Sequence, residues 1–146
     1  MTLALSGKEV ATKLEQRFPA SITESNRDYL VVKPEALPKI ISFLKITPEF
    51  DFDFLNNITA VDYFDYFEVV YHLTSMKHNR SLVLKTRLNG RDNLAVPSII
   101  NIYRGADFQE REIYDLMGIR FEGHPNLKRI FLWEGFEGHP LRKDYL

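Results

Sequence analysis

The chain of 146 residues contains no cysteine. That absence excludes disulfides, thiolate ligation of iron–sulfur clusters and cysteine nucleophiles together. It is compatible with a reducing compartment. No apolar run approaches the roughly 20 residues that a membrane span requires. The opening Met1-Thr2-Leu3-Ala4-Leu5-Ser6 has neither a basic n-region nor a long apolar core, so no signal peptide is expected there. An excess of one charge is missing as well: 19 basic and 20 acidic side chains leave a net charge of −1, which argues against a nucleic-acid surface. Neither a Gly-rich phosphate cradle nor a Gly-x-Ser-x-Gly elbow occurs. Membrane contact is expected only through a partner.

Apolar residues make up 45% and charged residues 27%, the balance of one ordinary globular domain. Ser6 with Glu9 reads as a capping box, and Val10, Ala11, Leu14 and Phe18 follow at helical spacing, so a helix over 7–18 stopped by Pro19 is expected. Tyr29 to Val32 forms a short strand, and Pro34 opens a second helix with Leu37, Ile40, Ile41 and Leu44 on its apolar face. Residues 52–61, 66–75 and 81–88 read as three strands, the last two joined by a hairpin loop over 76–80. The first of these is weakened by Asn56-Asn57, a poor pair for a strand. A helical turn at 98–103 and a helix from Asp107 to Met117, stopped by Gly118, complete the regular elements. The fold class is α+β: helix–strand–helix, then an antiparallel β-meander, two helices on one sheet face, short helices and a long irregular C-terminal tail. Residues 1–120 form the α+β body. Residues 121–146 form an extended partner-binding tail of the same domain unit.

That tail is broken by Gly123, Pro125, Gly135, Gly138 and Pro140, yet holds Phe121, Leu127, Ile130, Phe131, Leu132, Trp133, Phe136, Leu141, Tyr145 and Leu146. A solvated disordered segment is poor in such residues, so the tail needs an apolar surface, either its own sheet or another protein. Residues 49–68 carry six acids and no Lys or Arg, and residues 77–91 five bases and no acid. Neighbouring strands then complement each other across a solvated face, each pair adding a few tenths of a kcal/mol. An electrostatic docking surface is the other reading.

Glu110 and Glu112 lie two apart on one helix and diverge, so they cannot flank one substrate atom. Arg111 and Asp115, four apart, share a face and are expected to pair. The phrases Phe121-Glu122-Gly123-His124-Pro125 and Phe136-Glu137-Gly138-His139-Pro140 are near copies. Two histidines and two glutamates could be drawn as a zinc site, but no third His or His-x-x-x-His spacing supports it. Each His is expected to bond local backbone in a turn.

The run Glu110-Arg111-Glu112, with Asp115 three residues on, Leu116-Met117, His124, Lys128-Arg129 and Ile130, resembles the signature of the thirty-kilodalton (C-type) subunit family of respiratory complex I. The closing Gly138-His139-Pro140-Leu141-Arg142-Lys143-Asp144-Tyr145, together with 55–62, 69–73 and Val96-Pro97-Ser98, extends the resemblance over most of residues 50–146. Many relatives carry Trp where this chain has Phe108, and many run on beyond Tyr145. The resemblance implies a non-catalytic scaffold subunit in the peripheral arm of a proton-translocating NADH:quinone oxidoreductase (complex I, NDH-1). It would sit beside the large hydrogenase-like subunit, the forty-nine-kilodalton type, at the cytoplasmic face of the membrane or its organellar equivalent. It implies no cofactor in this chain, with iron–sulfur clusters, FMN and quinone in partner subunits. Expected partner-binding residues are Glu110, Arg111, Glu112 and Asp115 on the helix, then His124, Lys128, Arg129 and Trp133, and finally His139, Pro140, Leu141, Arg142, Lys143, Asp144 and Tyr145. Arg111, Arg129, Arg142 and Lys143 would pair with partner carboxylates or carbonyls. Trp133, Phe131 and Phe136 would be apolar anchors. Two alternatives are an equivalent subunit of a hydrogenase, F420H2 or ferredoxin-dependent complex, and a free-standing adaptor domain whose tail folds back on its own sheet.

Overall fold

The structure, a computed structural model, describes residues 2–133 and 135–145. Leu146, one of the tail's apolar residues, lies outside them. In chain order the elements are β1 (Leu3–Ala4), α1 (Gly7–Arg17), β2 (Ile22–Ser25), β3 (Leu30–Val32), a 3-10 turn Pro34–Ala36, α2 (Leu37–Ile46), β4 (Phe54–Asp62), β5 (Tyr66–Ser75), β6 (Arg80–Asn89), β7 (Ala95–Pro97), α3 (Ala106–Met117) and β8 (Arg120–Glu122).

The α+β reading holds, and β4–β5–β6 is the expected antiparallel meander. The sheet as a whole is mixed, in the order β2-β3-β6-β5-β4, because β3 and β1 both join β6 in parallel. Strict alternation sets the faces of the meander: Phe67, Val69, Tyr71 and Leu73 are all fully buried on one side. They meet Leu82, Leu84 and Leu88 from β6, Val10 and Leu14 from α1, and Ile40, Ile41 and Leu44 from α2 in one core. Each such side chain contributes about 1.5–3 kcal/mol on burial.

Several expectations change. Ser6 has N-cap backbone geometry, but its hydroxyl makes no capping bond. The start of α1 is instead fixed by close packing: Gly7 is buried, its N–H donates to the Arg27 carbonyl at 3.3 Å, and a Cβ there would overlap the Tyr29 carbonyl. Asn56-Asn57 lies inside β4 and coincides with a register shift between Leu55 and Asn57. That bulge lets Leu55 and Ile58, three apart, both face the core. Residues 98–103 form hydrogen-bonded turns, with Ile102 and Tyr103 both donating to the Ile99 carbonyl, and not a regular helix.

The second half of the chain covers an edge. β7 and β8 pair in parallel, with α3 as the crossover between them. The helix lies along β4, and the Gln109 side-chain oxygen accepts the Ile58 N–H at 2.5 Å, blocking an otherwise open strand edge. Ile113, Met117, Ile119 and Phe121 extend the core beneath it.

Candidate partner-binding face

α3 ends at Gly118, whose φ of +76° places it in the left-handed region. The last carbonyls of a helix lack intrahelical partners; here the C-cap residue supplies one and the tail two. Gly118 N–H donates to the Tyr114 carbonyl, His139 Nδ1 to the Asp115 carbonyl at 2.9 Å, and Leu141 N–H to the Leu116 carbonyl at 2.9 Å. The second Gly-His-Pro phrase is therefore a C-terminal cap for α3, supplied by residues distant in sequence.

Asp115 is the centre of this clasp. Its side chain is buried, and one oxygen, Oδ2, accepts the backbone N–H groups of Ile130, Phe131 and Leu132 at 3.2, 2.8 and 3.1 Å. Its other oxygen takes Arg129 Nη1 at 3.0 Å. Burial acts to raise the Asp115 pKa, but the three N–H groups and Arg129 outweigh it and hold the carboxyl below its usual range. Arg129 reaches on to the Gly138 carbonyl at 2.9 Å. Arg111 donates from Nε to the Lys128 carbonyl at 3.0 Å and from Nη2 to the Arg129 carbonyl at 3.2 Å. Arg111 and Asp115 thus do not pair with each other as their spacing suggested. Both turn to the tail, because irregular backbone offers unsatisfied groups that a surface ion pair would leave bare.

The first Gly-His-Pro phrase makes a second latch. The His124 side chain is fully buried; Nδ1 accepts the Asn126 N–H at 3.0 Å, which places its proton on Nε2. Nε2 lies 3.3 Å from the Asp107 carbonyl and 3.0 Å from Asp107 Oδ1, in the first turn of α3. The expected local turn bond is present at His124. His139 binds a carbonyl 24 residues away.

Glu110 and Glu112 diverge as expected: Glu110 is fully buried and Glu112 is exposed. Glu110 accepts from Ser98 Oγ at 2.5 Å and from Ile99 N–H at 2.9 Å, pinning the 98–103 turns to α3. Burial raises its pKa against these two bonds, and burial, with the Glu110 charge, pushes the fully buried Tyr71 hydroxyl well above its ordinary value. A raised carboxyl imposes no penalty below its unfolded pKa of about 4.3, and loses stability as pH rises through its folded value. Glu110→Gln should therefore unfold at higher urea than the wild type at pH 8, with the gap shrinking toward pH 4. Equal midpoints at pH 8 would mean the carboxyl ionises freely.

The tail's end joins the sheet where β4 and β6 finish. Arg142 donates to the Arg91 carbonyl, and its Nε to Asp144 at 3.1 Å. Lys143 N–H donates to Asp62 Oδ2 at 2.8 Å, and Arg91 holds both Asp62 oxygens at 2.7 Å and Asp144 at 3.1 Å. The Arg91 hydrogen bond, working against burial, depresses the Asp62 carboxyl far below the usual carboxylate range. Sequence reasoning missed Arg91, Asp62 and Gln109. The first two are separated by 29 residues, and only the meander register brings them together.

The fifteen expected partner-binding residues thus divide. Glu110, Asp115 and His124 are internal. The guanidinium groups of Arg111, Arg129 and Arg142, expected to reach a partner, bind this chain's own carbonyls and carboxylates. His139 caps α3, the half-buried Pro140 follows it, and Asp144 is tied to Arg91. Facing outward are Glu112, Lys128, Trp133, Leu141, Lys143 and Tyr145. Phe131 is 63% exposed and Trp133 69%, with the Trp133 ring edge-on to Phe136 at 4.9 Å; Phe108 on α3 is 65% exposed. Beyond Phe121, which is buried in the core, the tail folds back on α3 through polar groups and leaves Phe131 and Trp133 outside. Among the described residues, no group of three or more His, Asp or Glu is placed to hold a metal ion. An open cleft of about 790 Å³ between α1 and α2 is lined by Phe18, Phe43, Ile46 and Ile102, together with Arg17 and Lys39, and includes none of the tail.

The C-cap Gly118 lies directly against the tail. A Cβ there would sit 2.7 Å from His139 Cδ2. Gly118→Ala should cost about 1–2 kcal/mol for the left-handed backbone alone and displace His139 from the Asp115 carbonyl. Faster proteolysis after residue 123, with the sheet intact, is the expected readout; an unchanged cleavage rate would count against the cap.

The model of the family described as respiratory-chain NADH dehydrogenase, 30 Kd subunit, matches residues 30–146, which hold the whole of this face. The chain belongs to that family. Similar family members include the second C-type subunit of the NADH-quinone oxidoreductase of Rhizobium meliloti, 46% identical over 117 residues, covering 78% of this chain and 63% of that protein. The C-type subunit of the NADH-quinone oxidoreductase of a Roseiflexus species is 41% identical over 149 residues, covering 97% of this chain and 85% of that protein. Against the Rhizobium relatives, the chain spans 63% and 64% of their lengths, just under two thirds. Among solved structures, the fold matches a chain of the membrane-bound sulfane sulfur reductase, an archaeal respiratory membrane complex. The TM-score is 0.77 at 25% identity, covering 95% of this chain and 85% of that one. No helix among the described residues of this 30 Kd subunit family member is long and apolar enough to cross a membrane.

Proposed function

We propose that this protein is a non-catalytic scaffold subunit in the peripheral arm of a proton-translocating NADH:quinone oxidoreductase, docked beside the large hydrogenase-like subunit of the forty-nine-kilodalton type. The reading places it at the cytoplasmic face of the membrane or its organellar equivalent, attached through the complex. FMN, iron–sulfur clusters and quinone reside in partner subunits. The supporting observation is the set of exposed rings, Phe108 on α3 and Phe131 and Trp133 on a tail whose backbone is already tied to that helix. Rigid aromatic side chains lose little entropy on binding and are frequent hot spots. Here Arg111, Arg129 and Asp115 tie the tail to α3 from within, and Glu112 and Lys128 are exposed charges on the same two segments.

Purifying the tagged chain from its native cells and identifying the accompanying polypeptides tests this. The large hydrogenase-like subunit among them is the expected result. A stable monomer without companions would instead assign a free-standing adaptor. A second reading, the equivalent subunit of a complex with another electron donor, is favoured by the likeness to the sulfane sulfur reductase chain. Oxidation of NADH by the recovered complex separates the two.

A further inference from the structure

We infer that the aromatic tip of the β4–β5 hairpin, with Phe64 as its knob, is a second contact for the partner that receives the tail, and inserts into an apolar pocket of that partner. The inference rests on the docking function proposed above. Phe64 is 58% exposed and Tyr63 44%. The φ of Phe64 is +76°, a region that bulky side chains disfavour and glycine enters freely. A large ring therefore occupies a position where the backbone favours glycine, and more than half of it stays in water. Neither turn geometry nor core burial accounts for it.

The conformation is imposed by polar contacts. Asp62 Oδ1 accepts the Phe64 N–H at 2.8 Å, and Arg91 Nη1 donates to the Phe64 carbonyl at 2.9 Å. The Arg91 guanidinium also lies 5.0 Å from the Phe64 ring centroid, leaving the rest of the ring free. The same two side chains hold the tail's end: Asp62 takes the Lys143 N–H and Arg91 takes Asp144. Hairpin tip and tail are thus parts of one ion network, and the tail residues it holds, Lys143 and Asp144, lie between Leu141, 61% exposed, and Tyr145, 41% exposed. A strained residue over-determined by its surroundings is the pattern of a functional site. The apolar ring fixes the chemistry of the pocket that takes it.

The test replaces the tagged chain in its native cells by Phe64→Gly and measures both recovery of partner subunits and the Tm of the isolated protein. Glycine removes the ring and relieves the backbone together. Recovery should fall by at least about tenfold, while Tm stays level or rises by up to about 5 °C. Wild-type recovery with Phe64→Gly would overturn the inference and leave the docking function standing. A large fall in Tm would also overturn it, by assigning the ring to the fold. A wild-type chain that recovers no partner takes both readings down. Phe64→Tyr, which keeps the ring, should recover partners as the wild type does.

Discussion

Asp115→Ala is expected to release the chain beyond residue 128 while leaving the sheet folded. The substitution strips one acceptor from three N–H groups and leaves the Arg129 guanidinium, 15% exposed, without its carboxylate. Breaking one side of a buried charged network costs about 3–5 kcal/mol. The loss is local because the core of α1, α2 and the six-stranded sheet shares none of these bonds; a segment can open below the global unfolding free energy. Hydrogen exchange reads this directly: the amides of Ile130, Phe131, Leu132 and Leu141 should lose protection, and those of β5 and β6 should keep theirs. Asp115→Asn, which keeps an acceptor oxygen but no charge, should fall between. Acid mimics the substitution. The folded-state pKa of Asp115 is depressed, so its contribution is complete above the unfolded value of about 4 and is lost as pH falls below it. Asp62 and Asp144, also depressed, act with the same sign. Protection of the Leu132 amide that persists in Asp115→Ala would show that the tail is held by its apolar residues instead.

The two halves of the chain are unequally legible in the sequence. β5 is readable over residues 66–75 because alternating Phe67, Val69, Tyr71 and Leu73 face one core, a local signal. α3 is readable to within one residue because Gly118 marks its end. β2 carries no such signal and is missed: Ile22-Thr23-Glu24-Ser25 has one half-buried apolar residue, and its strand state comes from pairing with β3. The parallel joining of β3 to β6 is equally a tertiary fact. For the tail, residue types announce a surface to be met but not which part meets it. Arg111, Arg129 and Asp115 look like surface charges of a helix and its sequel. They are backbone binders because the glycines and prolines that bar regular structure leave N–H and carbonyl groups in need of partners. The signature residues thus divide between internal clasp and outward face, a distinction that spacing alone cannot draw.

Glu68→Ala is expected to destabilise the whole protein, by an amount the sequence would not suggest. Charge complementarity between 49–68 and 77–91 is present, and Glu68 stands opposite Arg87 across β5 and β6. On a solvated face such a pair contributes a few tenths of a kcal/mol. Glu68, however, is only 2% exposed, with Lys85 Nζ at 3.1 Å from one oxygen and Arg87 Nε at 2.9 Å from the other. Lys85 in turn lies 3.8 Å from the Tyr29 ring centroid, and Arg87 reaches Glu24 at 3.2 Å, so the β2–β3 turn roofs the network. Removing the carboxylate leaves two cations crowded under that roof. The expected cost is about 3–5 kcal/mol, a fall in Tm of roughly 10 °C or more, read by thermal and urea unfolding. Replacing all three members together, as Glu68→Leu, Lys85→Met and Arg87→Met, removes the charges with the pair and should restore most of the loss. A change below about 1 kcal/mol in Glu68→Ala would place the site among ordinary surface pairs and make the β2–β3 roof incidental.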